Sequence, residues 1–252
     1  MRETLYGRNA VYEALRAGRR QFYRLSLLDT VHPTDIVADI LALAEAAAIP
    51  VERVPRRNLS WLEANHQGVV LECSDYPYVD LTAILQEAGR RNEPPLLLLL
   101  DLLQDPQNVG SLLRTAEALG VHGVVLQERR AVGITPAVVN ASAGAVEHLL
   151  IAQVTNLPDT IETLKARNVW VAGLEAVRGA KRYDQADLSG PLALVVGSEG
   201  TGLRRLVQER CDFLLELPMR GKVTSLNAAI AGSVVLYEAW RQRTAAPRKP
   251  AP

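Results

Sequence analysis

The chain has only two cysteines among 252 residues, Cys73 and Cys211, far apart and without the spacing of metal ligands. That pattern speaks against a disulfide framework and a zinc site, and leaves two thiols expected to be buried in a reducing compartment. Aromatic residues make up 5%, so base stacking would have to rely on a few rings, such as Tyr6, Tyr12 or Tyr23, or on arginine planes. Net charge is missing too, since Lys plus Arg and Asp plus Glu each number 28. A nucleic-acid partner would therefore need basic residues arranged locally. The longest leucine run, Leu96 to Leu100, is far too short for a bilayer span, and the N-terminus has no apolar signal-peptide core. A cytoplasmic protein with no membrane and no metal partner is expected.

What is there is apolar material, 48% of the chain, enough for one large or two modest domains. Of the 28 basic residues 24 are arginine, a side chain suited to phosphates and base edges, although GC-rich coding would produce the same skew. From Arg2 to Arg24 there are six arginines and only two glutamates, and Arg53, Arg56 and Arg57 form a second cluster. Phosphate binding and plain solvation both fit such clusters.

The order of patterns divides the chain. Residues 1–75 read as a small α/β unit, with a helix ending at Gly18, a strand Y-R-L-S-L-L, an alanine-rich helix stopped by Ile49-Pro50, and strands V-E-R-V and G-V-V-L-E-C. Residues 76–94 carry prolines and one polar helical piece and are expected to link two domains. From 95 to 243, apolar runs alternate with helical patterns: L-L-L-L-L-D, V-H-G-V-V-L, V-W-V-A-G-L, L-A-L-V-V-G and F-L-L-E-L-P. Continuous apolar strands separated by helices predict an α/β fold with a parallel sheet covered on both faces. The proline-rich end, 244–252, is expected to be disordered.

Three polar stretches follow predicted strands, where open α/β sheets place ligands. In D-L-L-Q-D-P-Q-N-V-G-S-L-L-R, Asn108 and Gly110 could merely shape and cap a turn, and Arg114 could be a solvated helix residue. In L-V-V-G-S-E-G-T-G-L the glycines permit close approach of a ligand to the backbone, but the spacing is neither a dinucleotide fingerprint nor a P-loop, and Glu199 would repel a phosphate. In L-P-M-R-G-K-V-T-S-L-N, Ser225 can cap the last helix, which leaves Asn227 unexplained.

Taken together and in order, D-P-Q-N-V-G-S-L-L-R-T-A, V-V-G-S-E-G-T-G-L and L-P-M-R-G-K-V-T-S-L-N resemble the SpoU/TrmH family of RNA ribose 2′-O-methyltransferases, within the SPOUT superfamily. Y-G-R-N-A-V-Y-E-A-L, H-Q-G-V-V and A-S-A-G-A-V-E extend the likeness to the subgroup that methylates a guanosine of large-subunit (23S) ribosomal RNA. The resemblance implies a C-terminal trefoil-knot domain that holds S-adenosylmethionine near Gly197, Leu217, Met219 and Leu226, behind an L30e-like RNA-binding domain. It implies catalytic and positioning roles for Asn108, Arg114, Glu199, Ser225 and Asn227. A guanidinium stays protonated and is a poor base, so Arg114 is expected to bind the target's phosphate while Glu199 or water takes the proton. Arg8, Arg16, Arg19, Arg20, Arg56 and Arg57 are expected to face RNA. Family members dimerise through the last helix, so a homodimer is expected. Ala229 stands where the family often has a further hydroxyl. A transfer-RNA methyltransferase, a non-catalytic RNA-binding protein and a nicotinamide dehydrogenase are the alternatives, the last opposed by the glycine order.

Overall fold

A computed structural model describes residues 2–59 and 66–245. In the first part, β1 (Arg2–Tyr6), α1 (Arg8–Ala17), β2 (Phe22–Leu28), α2 (Ile36–Ala46), β3 (Val51–Val54) and β4 (Val69–Ser74) build a four-stranded sheet in the order β1-β4-β2-β3. Here β4 runs antiparallel to both β1 and β2, and β3 is parallel to β2. Helix α1 stops where Gly18 takes a left-handed conformation and closes the last turn on the Ala14 carbonyl. Its buried face is Ala10, Val11, Ala14 and Leu15, positions spaced for one helical stripe. Strand β1 was not expected from the sequence: Leu5 is its only buried residue.

The stretch 76–94 joins the two parts while packed against the second. The Val79 N–H donates to the Ile151 carbonyl, and α3 (Leu81–Arg91) sinks Ile84 and Ala88 against the neighbouring strands.

The second part contains β5 (Leu96–Asp101), α4 (Pro106–Ala118), β6 (Gly123–Gln127), α5 (Pro136–Ala141), β7 (Ile151–Val154) and α6 (Leu157–Lys165). It continues with β8 (Trp170–Leu174), β9 (Lys181–Arg182), β10 (Leu192–Gly197), α7 (Arg205–Arg210), β11 (Phe213–Glu216) and α8 (Ala228–Thr244). All seven strands are parallel, in the order β7-β6-β5-β10-β8-β11-β9. The leucine run of β5 shows why: Leu96, Leu98 and Leu100 pack in one cluster with Leu112, Leu113, Val235 and Leu236 of α4 and α8. Leu97 and Leu99 pack on the other face with Ile84, Ile161, Leu164 and Val207 from α3, α6 and α7. Each buried leucine stabilises the fold by roughly 1.5–3 kcal/mol relative to exposure. A strand buried on both faces needs this unbroken apolar run.

Helix α8 lies close on α4 and β10 because Gly232 has no side chain; a Cβ there would already stand 3.0 Å from Leu112 and Val196. Of the tail expected from 244 onward, residues 246–252 lie outside the described part, and α8 itself runs through Thr244. Among the described residues no helix is long and apolar enough to cross a membrane.

Candidate active site

The C-terminal ends of β8 and β10 and the loop after β11 enclose one cavity of about 410 Å³. Leu174, Glu175, Val196, Gly197, Glu199, Leu217, Met219, Thr224, Ser225, Leu226, Asn227 and Ala228 contribute to its wall. All four residues expected near a cofactor and three of the five expected in catalysis therefore meet in one place, although they come from two separate stretches, one after β10 and one after β11.

Gly197 is required sterically. A Cβ on it would stand 2.4 Å from the Gly202 carbonyl, so the strand end and the loop that folds back on it can touch only at glycine. Gly202 itself has φ +63° and faces the Glu175 carboxylate, which would overlap any added Cβ. The same carboxylate accepts the Leu203 N–H at 2.7 Å. The buried Asp101, at the end of β5, accepts Arg204 N–H at 2.9 Å and its Nε at 2.8 Å. Two carboxylates thus hold the turn after β10 from opposite sides. The sequence alone gives neither carboxylate a role; for Glu175 the available signal is its place directly after an apolar strand, and for Asp101 its place at the end of one.

Asp105 caps α4, accepting Gln107 N–H and Asn108 N–H at 3.2 Å each. The Asn108 side chain is thereby left over for the site. Gly110 packs rather than caps: a Cβ on it would lie 2.4 Å from the Ala141 Cβ, which brings α4 tightly against α5.

The cap of α8 is Asn227, not Ser225. The helix starts at Ala228, so Ser225 stands two residues too early, and Asn227 Oδ1 accepts Ala229 N–H at 3.0 Å and Ile230 N–H at 3.2 Å. The other end of this amide reaches into the site. Its Nδ2 donates to Asn108 Oδ1 at 2.7 Å and to Glu199 Oε1. Capping and site-building are done by one side chain whose hydrogen-bonding capacity is fully used.

Arg114 does not join this group. It lies further along α4 and lines a second, polar cleft with Asn9, Glu13, Arg16, Glu117 and His148, where α1 meets the turn after α5. Its guanidinium has no ion pair among the described residues.

The six arginines expected to face RNA separate into two groups. Arg16, Arg56 and Arg57 are exposed and Arg8 is half-buried. Arg19 and Arg20 turn inward. Arg20 is 5% exposed and pairs with Glu147 of the second domain, and Arg19 donates to the Pro77 and Glu147 carbonyls at 3.3 Å each. A local excess of positive charge along the chain says nothing about which way each side chain points. Arg20 is removed from the RNA-facing set by its burial.

The thiols are buried as expected for Cys73 and half-buried for Cys211, and burial pushes each up to about 12. Among the described residues no group of three metal-ligating side chains occurs.

Comparison with known proteins matches two families to the chain. The SpoU rRNA Methylase family matches residues 95–237, and the family described as RNA 2′-O ribose methyltransferase substrate binding matches residues 4–79. YacO of Bacillus subtilis, named for the TrmH family of tRNA/rRNA methyltransferases, is 45% identical over 240 residues, 94% of either chain. The SpoU methyltransferase AviRb of Streptomyces viridochromogenes, solved with AdoMet, superposes with a TM-score of 0.81 at 25% identity, covering 97% of this chain and 92% of its own. The AdoMet-bound rRNA methyltransferase of Sinorhizobium meliloti gives 0.77 at 27% identity, covering 97% and 88%.

Proposed function

Because the chain belongs to the SpoU rRNA methylase family and is an RNA methyltransferase, we propose that it methylates the 2′-hydroxyl of a guanosine ribose in large-subunit ribosomal RNA, with S-adenosylmethionine as donor. The observation that carries this reading is the Asn108–Asn227–Glu199 cluster at the rim of the cavity: an amide, fixed at both ends, presents a carboxylate beside a pocket of cofactor size.

The cavity suits the donor. Leu174, Val196, Leu217 and Leu226 offer aliphatic wall, and the missing Cβ of Gly197 brings bare backbone to the surface. Gly197, Leu217, Met219 and Leu226 would hold the cofactor. When bound, S-adenosylmethionine supplies a methyl group on a sulfonium, already a good leaving group. The protein's own tasks are to orient a ribose oxygen and to receive its proton. Glu199 takes that proton or passes it to water, and Asn227 keeps the carboxylate in place. Ser225, on the cavity wall, contacts the ribose.

Arg114 binds a phosphate of the substrate. Its exposed guanidinium, without an ion pair among the described residues, opens toward the first domain, from which the RNA arrives. Arg8, Arg16, Arg56 and Arg57 add phosphate contacts. The large first domain favours ribosomal over transfer RNA as substrate.

Two copies of the chain pair through α8. Ile230 and Tyr237 are each 55% exposed on this helix and, with Val234 and Thr115, line an open apolar groove between α4 and α8. Exposed apolar surface of this kind asks for a partner. Action on ribosomal RNA puts the enzyme in the cytoplasm.

The test is to incubate the protein with methyl-labelled S-adenosylmethionine and total RNA from cells lacking it, then map the label. One guanosine of large-subunit RNA is expected; label in transfer RNA alone would reassign the substrate.

A further inference from the structure

The guanidinium of Arg20 lies between the two domains with no exposed side-chain surface, and neither has its partner Glu147. Its Nε donates to Glu147 Oε2 at 2.9 Å and its Nη2 to Glu147 Oε1 at 2.7 Å. Nη1 donates to Glu3 Oε2 at 2.7 Å and to the Ser74 carbonyl at 3.0 Å. Four N–H groups of the fork are engaged, two facing each domain. Around them, Tyr76 Oη donates to the Leu149 carbonyl, Asn140 Nδ2 donates to the Tyr6 carbonyl at 2.8 Å, and Gly144 meets α1 so closely that a Cβ would stand 2.6 Å from Glu13.

Burying two charges costs several kcal/mol per ion, and an apolar pair of similar volume would hold two surfaces together at least as well. What the ion pair adds is direction, because a planar fork accepts its carboxylate in few orientations. That direction leads to the site. Glu147 sits in the 3₁₀ turn Ala145–His148, which packs on α4. The preceding helix, α5, touches α4 at Gly110, where no side chain separates them, and Asn108 stands half a turn away in contact with Asn227. Arg20, Glu147, the Ala141–Gly144 corner, Gly110, Asn108 and Asn227 form one unbroken series of contacts.

Resting on the reading that the chain methylates RNA, we propose that Arg20 and Glu147 are positioning residues: they lock the RNA-binding domain onto the turn behind α4. RNA held by the first domain is thereby presented in register with Asn108, Glu199 and Asn227. Neither residue touches substrate.

The experiment uses the full chain and the double variant R20M/E147M, which removes the two fully buried charges together; the Glu3 carboxylate that loses its partner is partly exposed to water. Spin labels at Thr30→Cys and Arg167→Cys, exposed positions of the two domains, diluted with unlabelled protein, report the interdomain distance. One narrow distance is expected for the unsubstituted pair and a broad distribution for the double variant. The KM for RNA should rise about tenfold or more, with cofactor affinity and Tm unchanged. An unchanged KM, with the distance broadened or not, overturns the proposal. So does a cofactor affinity that falls in step with RNA methylation, since that is general loosening. A parent protein that methylates no RNA defeats the proposed function and the positioning role together, while the distance trace still reports the docking separately.

Discussion

Asn227 and Asn108 meet side chain to side chain at 2.7 Å although 119 positions separate them in the chain. One helix N-terminus is thereby tied to another across the end of a parallel sheet. The nitrogen that makes this tie belongs to the amide whose oxygen caps α8, so the start of the last helix and the rim of the cavity cannot shift independently.

Substitutions at Asn227 separate its two tasks. Asn227→Ser keeps a capping oxygen and should leave Tm near that of the parent, yet methyl transfer should fall roughly 100-fold because Glu199 loses its anchor. Asn227→Ala should lose the activity and, in addition, about 1 kcal/mol of stability. Denaturant unfolding and single-turnover methylation on the same preparations check both.

Gly197→Ala forces the turn after β10 away from the strand, because the new Cβ would lie 2.4 Å from Gly202. A loss of about tenfold or more in S-adenosylmethionine affinity is expected, equal to ~1.4 kcal/mol. Calorimetric titration measures it, with the unfolding midpoint as control for a folded protein.

His122 gives a pH dependence unrelated to catalysis. Its Nδ1 accepts the Leu96 N–H at 3.0 Å, so the neutral ring is the native form, and burial, then the nearby Arg91 charge, lower its pKa, with Glu93 opposing. A base whose folded pKa is depressed contributes its stability above the unfolded value of about 6.5, and that contribution is lost as pH falls below it. Urea midpoints should therefore drop between pH 7 and pH 5, and less so in His122→Asn, whose amide oxygen can still accept from Leu96.

Ile230→Glu places a charge in the groove beside α8. Sedimentation equilibrium should show a dimer for the parent and a monomer for the variant at micromolar concentration, with the far-UV spectrum unchanged.

The parts of the fold that were legible are those with one physical cause. Strands β5, β8 and β10 are covered on both faces, so their apolar runs are continuous. Strand β7 has only Ile151 and Ala152 buried, and β9 is two residues long, so neither stands out from loop composition. The cavity-lining residues were legible through motif order rather than periodicity. The sequence suggests Ser225 as the cap because a helix start is hard to place within two residues, and Asn227 lies just inside that margin. Arg19 and Arg20 were misplaced because charge along a chain carries no direction. Glu147, their destination, is a single acid in an apolar stretch whose burial only the docked domains reveal.

The most direct test of the account is the chemical position of the transferred methyl group. RNA labelled by the protein should yield, after alkaline hydrolysis, a resistant dinucleotide carrying a 2′-O-methyl guanosine, and Asn227→Ser should nearly abolish it. Label found on a base, released by alkali as an ordinary mononucleotide, would contradict it.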